Sequence, residues 1–321
     1  MAQILEGPEA IARGVEVLSS GGVVAFPTET VYGLGAVAMD EGAVAKVFAM
    51  KGRPSENPLI VHVSGEGMAR GVCGWNARAE VLARAMWPGA LTMVLPKGEG
   101  VPGIVTAGGS TVGVRCPAHP IALALIEALG EAIVGPSANP SGRVSPTRAA
   151  HVARGFGDED LVVIDGGACR AGIESTVVDL SGDVVRVLRP GVIGAAEIAG
   201  VLGETVEDAH GVGVEGEGVA RSPGVVGAHY QPRTKLRIVG LEEAEGAGSE
   251  ACVITHEPLE TEGARVIDLG SDARGYAAAM YSALHDADAM GVREILVVAL
   301  PCAGDDPIWG ALRERLGRAS R

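Results

Sequence analysis

Lys51 and Arg53 follow a stretch with helical spacing, Arg115 and Arg189 close apolar runs, and Arg143 sits in a loop of turn-forming residues. Thr30, Asn57, Thr111, Ser137, Asn139, Ser141, Ser145, Ser175 and Thr176 are interleaved with these cations. A site built from Lys, Arg, Ser and Asn binds anions through point charges and directed hydrogen bonds, and polyphosphates and carboxylates are the anions that suit it. The familiar phosphate motifs are missing: there is no Gly-x-x-x-x-Gly-Lys-Ser/Thr loop and no Gly-x-Gly-x-x-Gly fingerprint. The seven histidines lack metal-ligand spacing, and the Ser137 loop lacks Gly-x-Ser-x-Gly. His62, inside an apolar run, reads first as a core histidine. Cations and hydroxyls without an evident nucleophile or acid-base pair point to catalysis by holding charged reactants together, as in phosphoryl or nucleotidyl transfer.

The elements that must position these residues are organised around Phe26 to Gly35. There an apolar run, Gly22 to Phe26, stops against Pro27 and hands over to Thr-Glu-Thr, with Gly33 and Gly35 expected to let the chain bend. A helix over Pro8 to Ser19 precedes it. Asp40 is placed to cap a second helix, which Gly52 and Pro54 end sharply at Lys51-Gly-Arg-Pro. Strands follow at Leu59 to Val63, Ala90 to Leu95, Thr111 to Arg115 and Ala132 to Val134, with helices over Asn76 to Met86 and His119 to Leu129. After the polar loop from Gly135 to Gly142, Ser145-Pro146 carries the signature of a helix start running to Arg154. Leu161 to Asp165, Ser175 to Leu180 and Val184 to Leu188 read as strands, the last two joined too tightly to be parallel. The alternation predicts a layered α/β domain with a twisted mixed sheet over residues 1–203. Residues 204–234, rich in Gly, Glu and Asp, read as a linker. It ends in Ser222-Pro-Gly and His229-Tyr230-Gln-Pro, where a tethered Tyr230 needs a surface to lie on. Residues 235–321 resume the α/β rhythm as a smaller, Rossmann-like domain.

Composition narrows the field further. Among 321 residues the net charge is -14, which argues against a broad grip on a phosphate backbone and predicts no stable nucleic-acid binding. Five scattered cysteines without a Cys-x-x-Cys pair indicate neither a disulfide framework nor structural zinc. No window approaches the roughly 18 apolar residues of a spanning helix, and the N-terminus lacks a signal-peptide pattern, so the expected setting is the cytoplasm without membrane attachment.

Pro27-Thr-Glu-Thr-Val-Tyr-Gly-Leu-Gly35, Lys51-x-Arg53-Pro with Asn57-Pro58-Leu59, Ser137-x-Asn139-x-Ser-Gly, Ser175-Thr176 and Arg189-Pro-Gly together resemble the YrdC-type threonylcarbamoyl-AMP synthases. The linker motifs and the small second domain resemble that family's two-domain form. The resemblance implies an ATP-binding nucleotidyltransferase that converts L-threonine, bicarbonate and ATP to threonylcarbamoyl-adenylate and pyrophosphate. Its product would be used by a separate transferase that makes threonylcarbamoyladenosine in tRNA. By motif, Lys51, Arg53, Ser137 and Asn139 would form the catalytic tetrad. Arg53, Asn57, Thr111, Ser137, Ser145, Arg189 and Tyr230 would bind ATP, with Tyr230 folding back as part of a lid. Thr30, His62, Arg115 and Ser175 would hold threonine, the Arg115 fork taking its carboxylate. Mg2+ would be held mainly by the ATP phosphates, and no protein metal ligand is assigned. No general base is assigned, His62 being the candidate. One departure is Val225-Val226-Gly227, where the family commonly has Met-Lys-Tyr; the missing lysine would weaken a phosphate contact of the lid. Competing readings are a carbamoyltransferase of the hydrogenase-maturation type, opposed by the absence of Cys-x-x-Cys pairs, an RNA-binding module, opposed by the acidity, and a structural α/β protein with an incidental anion site.

Overall fold

The computed structural model describes residues 1–208, 230–302 and 306–321. The chain opens with β1 (Gln3–Leu5), α1 (Gly7–Ser19), β2 (Val24–Phe26), β3 (Gly33–Val37), α2 (Glu41–Lys51) and β4 (Ile60–His62). There follow α3 (Glu66–Ala69), α4 (Ala77–Met86), β5 (Leu91–Pro96), β6 (Thr111–Arg115), α5 (Pro120–Leu129), β7 (Ile133–Val134) and α6 (Ala149–Gly155). Then come β8 (Val162–Ile164), β9 (Thr176–Asp179), β10 (Val185–Arg189), α7 (Ala195–Leu202) and β11 (Val206–Asp208). These strands form one sheet, ordered β1-β8-β2-β3-β7-β4-β6-β5-β9-β10-β11 among the described residues. It is mixed: β4 and β6 run parallel, whereas β9 and β10 are antiparallel, as their short connection requires. Strands β2, β3, β4 and β7 are buried throughout, which is why they read as continuous apolar runs.

A second sheet of parallel strands, ordered β12-β15-β13-β14, comprises β12 (Lys235–Val239), β13 (Ala251–Thr255), β14 (Arg265–Asp268) and β15 (Glu294–Val298). Helices α8 (Leu241–Glu245), α9 (Ala273–Ala289) and α10 (Pro307–Ala319) accompany it. Helices α9 and α10 are packed onto the first sheet's loops: Val31, Val144, Ile173 and Tyr230 share one apolar core with Tyr276, Tyr281 and Leu312.

Local chemistry explains how the site-bearing ends are made. The Asp40 side chain accepts from Ala43 N at 3.0 Å to start α2, and Gly52, at φ 59°, stops it in the left-handed cap that only glycine adopts without penalty. Lys51 is thereby turned inward on the last helical turn and Arg53 leaves the helix toward β4.

Three expectations are corrected. Gly33 and Gly35 lie inside β3 and do not form a bend; a Cβ at Gly33 would sit 2.8 Å from Phe26 Cζ, so glycine here makes room for a ring. Ser145 does not cap a helix, since α6 begins at Ala149 and the Ser145 hydroxyl is used elsewhere, on Glu174 at 2.7 Å. The stretch read as linker starts as β11, where Val206 pairs with Val185. Ser222 to Gly224, Val225 to Gly227 and His229 lie outside the described residues.

Candidate active site

The strand ends converge on a cleft whose walls include Thr30, Arg53, His62, Arg115, Ser137, Ser175, Arg189 and Tyr230. Register does much of this work. His62 and Arg115 are Cα partners on β4 and β6, so both leave the sheet at the same level, and Ser175 and Arg189 flank the facing ends of β9 and β10.

On one wall the turn after β2 is built by Thr28, whose Oγ1 accepts from the amides of Thr30 and Val31 at 3.1 and 3.2 Å. That turn presents the Thr30 hydroxyl to Arg115 Nη1 at 2.9 Å. The Arg115 guanidinium is buried, and Glu29 Oε1 lies 2.6 Å from its Nη2. Arg115 Nη2 has Glu29 as its ion-pair partner but no hydrogen bond of regular geometry, and the buried His62 Nδ1 has no hydrogen-bond partner. Polar atoms buried this way mark a place for a polar ligand. Burial first, and the Arg115 charge second, lower the His62 pKa to about 3, so its imidazole is neutral near pH 7. Gly135 is there because a Cβ would approach His62 Nδ1 to 2.6 Å.

The opposite wall is cationic. Arg189 donates from Nε and Nη2 to the Ser175 carbonyl at 3.1 and 3.0 Å and from Nη2 to Ser175 Oγ at 3.1 Å. Thr92 Oγ1, 2.8 Å away, fixes that same hydroxyl from β5. Arg53 donates to the carbonyls of Asn57 and Pro58 at 3.2 and 2.9 Å, and it faces no carboxylate at ion-pair distance among the described residues. Its burial brings its pKa down to about 10, still protonated at neutral pH. Tyr230 is buried, holds φ 67° and stacks on Tyr281 with centroids 5.6 Å apart. A non-glycine residue at such a φ is a strained conformation of the kind found at ligand clamps.

Not every expected residue reaches the cleft wall. Lys51 is buried behind it, donating from Nζ to the carbonyls of Ser137 and Asn139 at 2.5 and 2.6 Å; burial, and then the Arg53 charge, push its pKa well below the usual range. In this structure it holds the Ser137 loop in place from the rear. Asn139 spans the same loop through Nδ2 to the carbonyls of Pro140 and Arg143, both at 2.9 Å. Asn57 contributes its backbone carbonyl, and Thr111 opens β6 at the end away from Arg115. Ser145 stands behind Glu174. Arg143, expected among the converging cations, instead lines a separate cleft with Arg154 and Arg233.

Sequence reasoning passed over the acids. Glu29 and Glu174 are both buried, the first beside Arg115, the second accepting from Ser145, Tyr281 and Arg315. Burial alone would raise the Glu174 pKa; the Arg315 and Arg189 charges outweigh it and bring the net value to about 2. The available signal was a lone acid inside each of the Pro-Thr-Glu-Thr and Ile-Glu-Ser-Thr stretches, and an arginine on the apolar stripe of α10.

The sheet, its cation-rich strand ends and the hydroxyls between them define an α/β enzyme site for small anionic reactants. Comparison with known proteins carries this further. The profile of the Sua5–YciO–YrdC family, described as telomere recombination, matches residues 16–191, and that of the threonylcarbamoyl-AMP synthase C-terminal domain matches residues 193–321. The chain is 40% identical to the threonylcarbamoyl-AMP synthase of Pyrococcus abyssi (strain GE5 / Orsay), over 94% of this chain and 92% of that one. It is 38% identical to the enzyme of that name from Bacillus subtilis (strain 168), over 97% and 92%. The crystal structure of P. abyssi Sua5 complexed with L-threonine superposes with a TM-score of 0.88 at 37% identity, covering 100% of this chain and 97% of that one. The chain belongs to the threonylcarbamoyl-AMP synthase family, whose members are enzymes of adenylate formation.

Proposed function

We propose that the protein condenses L-threonine, bicarbonate and ATP into threonylcarbamoyl-adenylate and pyrophosphate, in the cytoplasm, for tRNA modification completed by a separate transferase. The observation that carries this reading is the juxtaposition, in one cleft, of a carboxylate-binding group, Arg115 with Thr30, and a second set of cations, Arg53 and Arg189, beneath Tyr230. The threonine carboxylate pairs with Arg115. Ser175 and neutral His62 hydrogen-bond the rest of the amino acid. The threonine amine, as free base, attacks the carbon of bicarbonate; a C–N bond forms and water leaves, giving a carbamate. A carbamate oxygen then attacks the ATP α-phosphorus, the bond to the bridging oxygen breaks, and pyrophosphate departs with the electron pair.

Arg53 and Arg189 stabilise the charge that develops on the phosphates, and the site's main contribution is the alignment of the three reactants. Magnesium would come bound to the ATP phosphates and offset their charge; Glu174, the carboxylate on the cleft wall, is engaged by Arg315 and Ser145. A histidine whose pKa is about 3 is too weak a base to take a proton from threonine near pH 7, so His62 acts as a hydrogen-bonding partner. Tyr230, stacked on Tyr281, closes the nucleotide side and keeps water from the carbamate.

The test is pyrophosphate release from ATP with magnesium and bicarbonate, comparing L-threonine with L-serine, L-alanine and no amino acid. Release that depends on threonine and is lost in R115K and R53A, both folded, supports the reading. Release indifferent to the amino acid rejects it.

A further inference from the structure

Helix α10 places an arginine where its apolar stripe calls for an apolar residue. Ile308, Ala311, Leu312, Leu316 and Ala319 are buried, and Arg315 among them is 1% exposed. Its guanidinium crosses to the first sheet's loops. Nε donates to Glu174 Oε2 at 2.8 Å, Nη2 to the Glu174 carbonyl at 3.2 Å, and Nη1 to the Pro190 carbonyl at 3.1 Å and to Ala311 O of its own helix at 3.0 Å. Glu174 immediately precedes Ser175, and Pro190 immediately follows Arg189. One side chain therefore ties together the two backbone segments whose residues, Ser175 and Arg189, meet at the cleft.

The Glu174 carboxylate passes the connection on. Oε1 accepts from Ser145 Oγ at 2.7 Å, and the Tyr281 hydroxyl donates to Oε2 at 3.0 Å. Tyr281, from α9, is also the platform on which Tyr230 lies. A buried ion pair is weak evidence for stability, since its desolvation offsets much of its attraction; here its hydrogen bonds orient the groups joined to it. Most of the threonine wall lies outside these contacts, and Ser175, bonded to Arg189, is where the two halves touch. Arg115 donates to Thr30 and is ion-paired with Glu29, and Ser175 Oγ has a second anchor in Thr92 beside Arg189.

We propose that Arg315 and Tyr281, from the C-terminal helices, are positioning residues for the nucleotide half of the site, acting through Glu174 on Ser145 and through the tyrosine stack on Tyr230. The assignment of Ser145, Arg189 and Tyr230 to ATP rests on the synthase reading. The small second sheet and its helices are then part of the catalytic unit and not an appended module.

The experiment uses the full chain and reads affinities directly. A non-hydrolysable ATP analogue with magnesium, and L-threonine, are titrated separately by calorimetry into wild type, R315M, Y281F, S145A and the R315M/S145A pair. R315M weakens the ATP analogue by about tenfold or more, because hydrogen bonds to a charged group are lost, and changes threonine by less than about threefold. Y281F, which keeps the ring stack, weakens the analogue by about threefold. S145A adds little in the R315M background, since both act along one path. Equal weakening of both ligands, an unchanged ATP affinity, or additive effects of R315M and S145A would overturn the proposal. If R315M does not fold, R315K carries the same expectation: it retains a buried cation but does not span the carbonyls of Glu174 and Pro190 together. Wild-type protein that releases no pyrophosphate with threonine would sink the synthase reading on its own, and the affinity split would still decide this one.

Discussion

Acidification from pH 7 to pH 5 isolates the environment of His62. The folded imidazole has its pKa brought down to about 3, first by burial and then by Arg115, against an ordinary 6.5. The unfolded chain therefore binds a proton below pH 6.5 that the folded chain refuses. Stability from this group is fully present above pH 6.5 and is lost as the pH falls, until the folded ring itself takes a proton near pH 3. Each pH unit in that window is worth about 1.4 kcal/mol, so at pH 5 His62 alone removes about 2 kcal/mol. Because the ring is 3% exposed, solvent screening does not dilute that figure. His151 is held at about 3 as well and contributes a slope of its own, which wild type and H62Q share. The difference between those two proteins is the His62 contribution. Urea unfolding at pH 7, 6 and 5 should show wild type losing about 2 kcal/mol more than H62Q over the range, and the His62 Cε1–H resonance should not titrate above pH 5. Equal slopes in the two proteins, or a His62 ring that titrates near pH 6, would refute the argument and restore His62 as a candidate base.

Further outcomes follow from the same packing. G33A places a Cβ 2.8 Å from Phe26 Cζ, and that ring is held edge-on to His62 with centroids 5.7 Å apart; overpacking should lower stability by about 1–3 kcal/mol and weaken threonine binding, with partial recovery in G33A/F26L. A G33A protein as stable as wild type contradicts the steric reading of that glycine. E29A leaves the buried Arg115 charge without its carboxylate and should destabilise by about 3–5 kcal/mol in urea unfolding, where a loss below about 1 kcal/mol would show the pair to be dispensable. K51M strips the buried Asn139 carbonyl of its donor and leaves the Ser137 carbonyl to the Asn139 amide alone, about 1–3 kcal/mol, and should speed amide exchange from Ser137 to Ser141; exchange as slow as in wild type would mean that Lys51 does not hold the loop.

Much of this architecture is legible locally. Asp40, Gly52 and Pro54 specify both ends of α2, and the tight connection between β9 and β10 dictates their antiparallel pairing, because caps and turns depend on near neighbours in sequence. Thr30, Arg53, His62, Arg115, Ser137, Ser175, Arg189 and Tyr230 could be gathered from the motif order, and the fold brings them to one cleft. What sequence did not disclose is whatever a distant partner decides. Glu174 and Arg315 are separated by 141 positions, and neither has a local pattern that names the other. Gly33 resembles a hinge until the Phe26 ring is seen to need its space. Ser145-Pro146 has the composition of a helix start, but the hydroxyl is drawn to the Glu174 carboxylate in the loop before β9. Lys51 similarly reads as a phosphate ligand, and its direction is settled only by the carbonyls of the loop packed against it.

The central claim is that this cleft joins threonine, bicarbonate carbon and the α-phosphate of ATP in one product. The most direct measurement is incorporation of carbon from [13C]bicarbonate into an adenylate, followed by mass spectrometry of a short incubation with ATP, magnesium and L-threonine. The account predicts a labelled threonylcarbamoyl-adenylate formed in step with pyrophosphate and absent when L-threonine is omitted. An adenylate of threonine that contains no label, or pyrophosphate released without any threonine-containing adenylate, would contradict it.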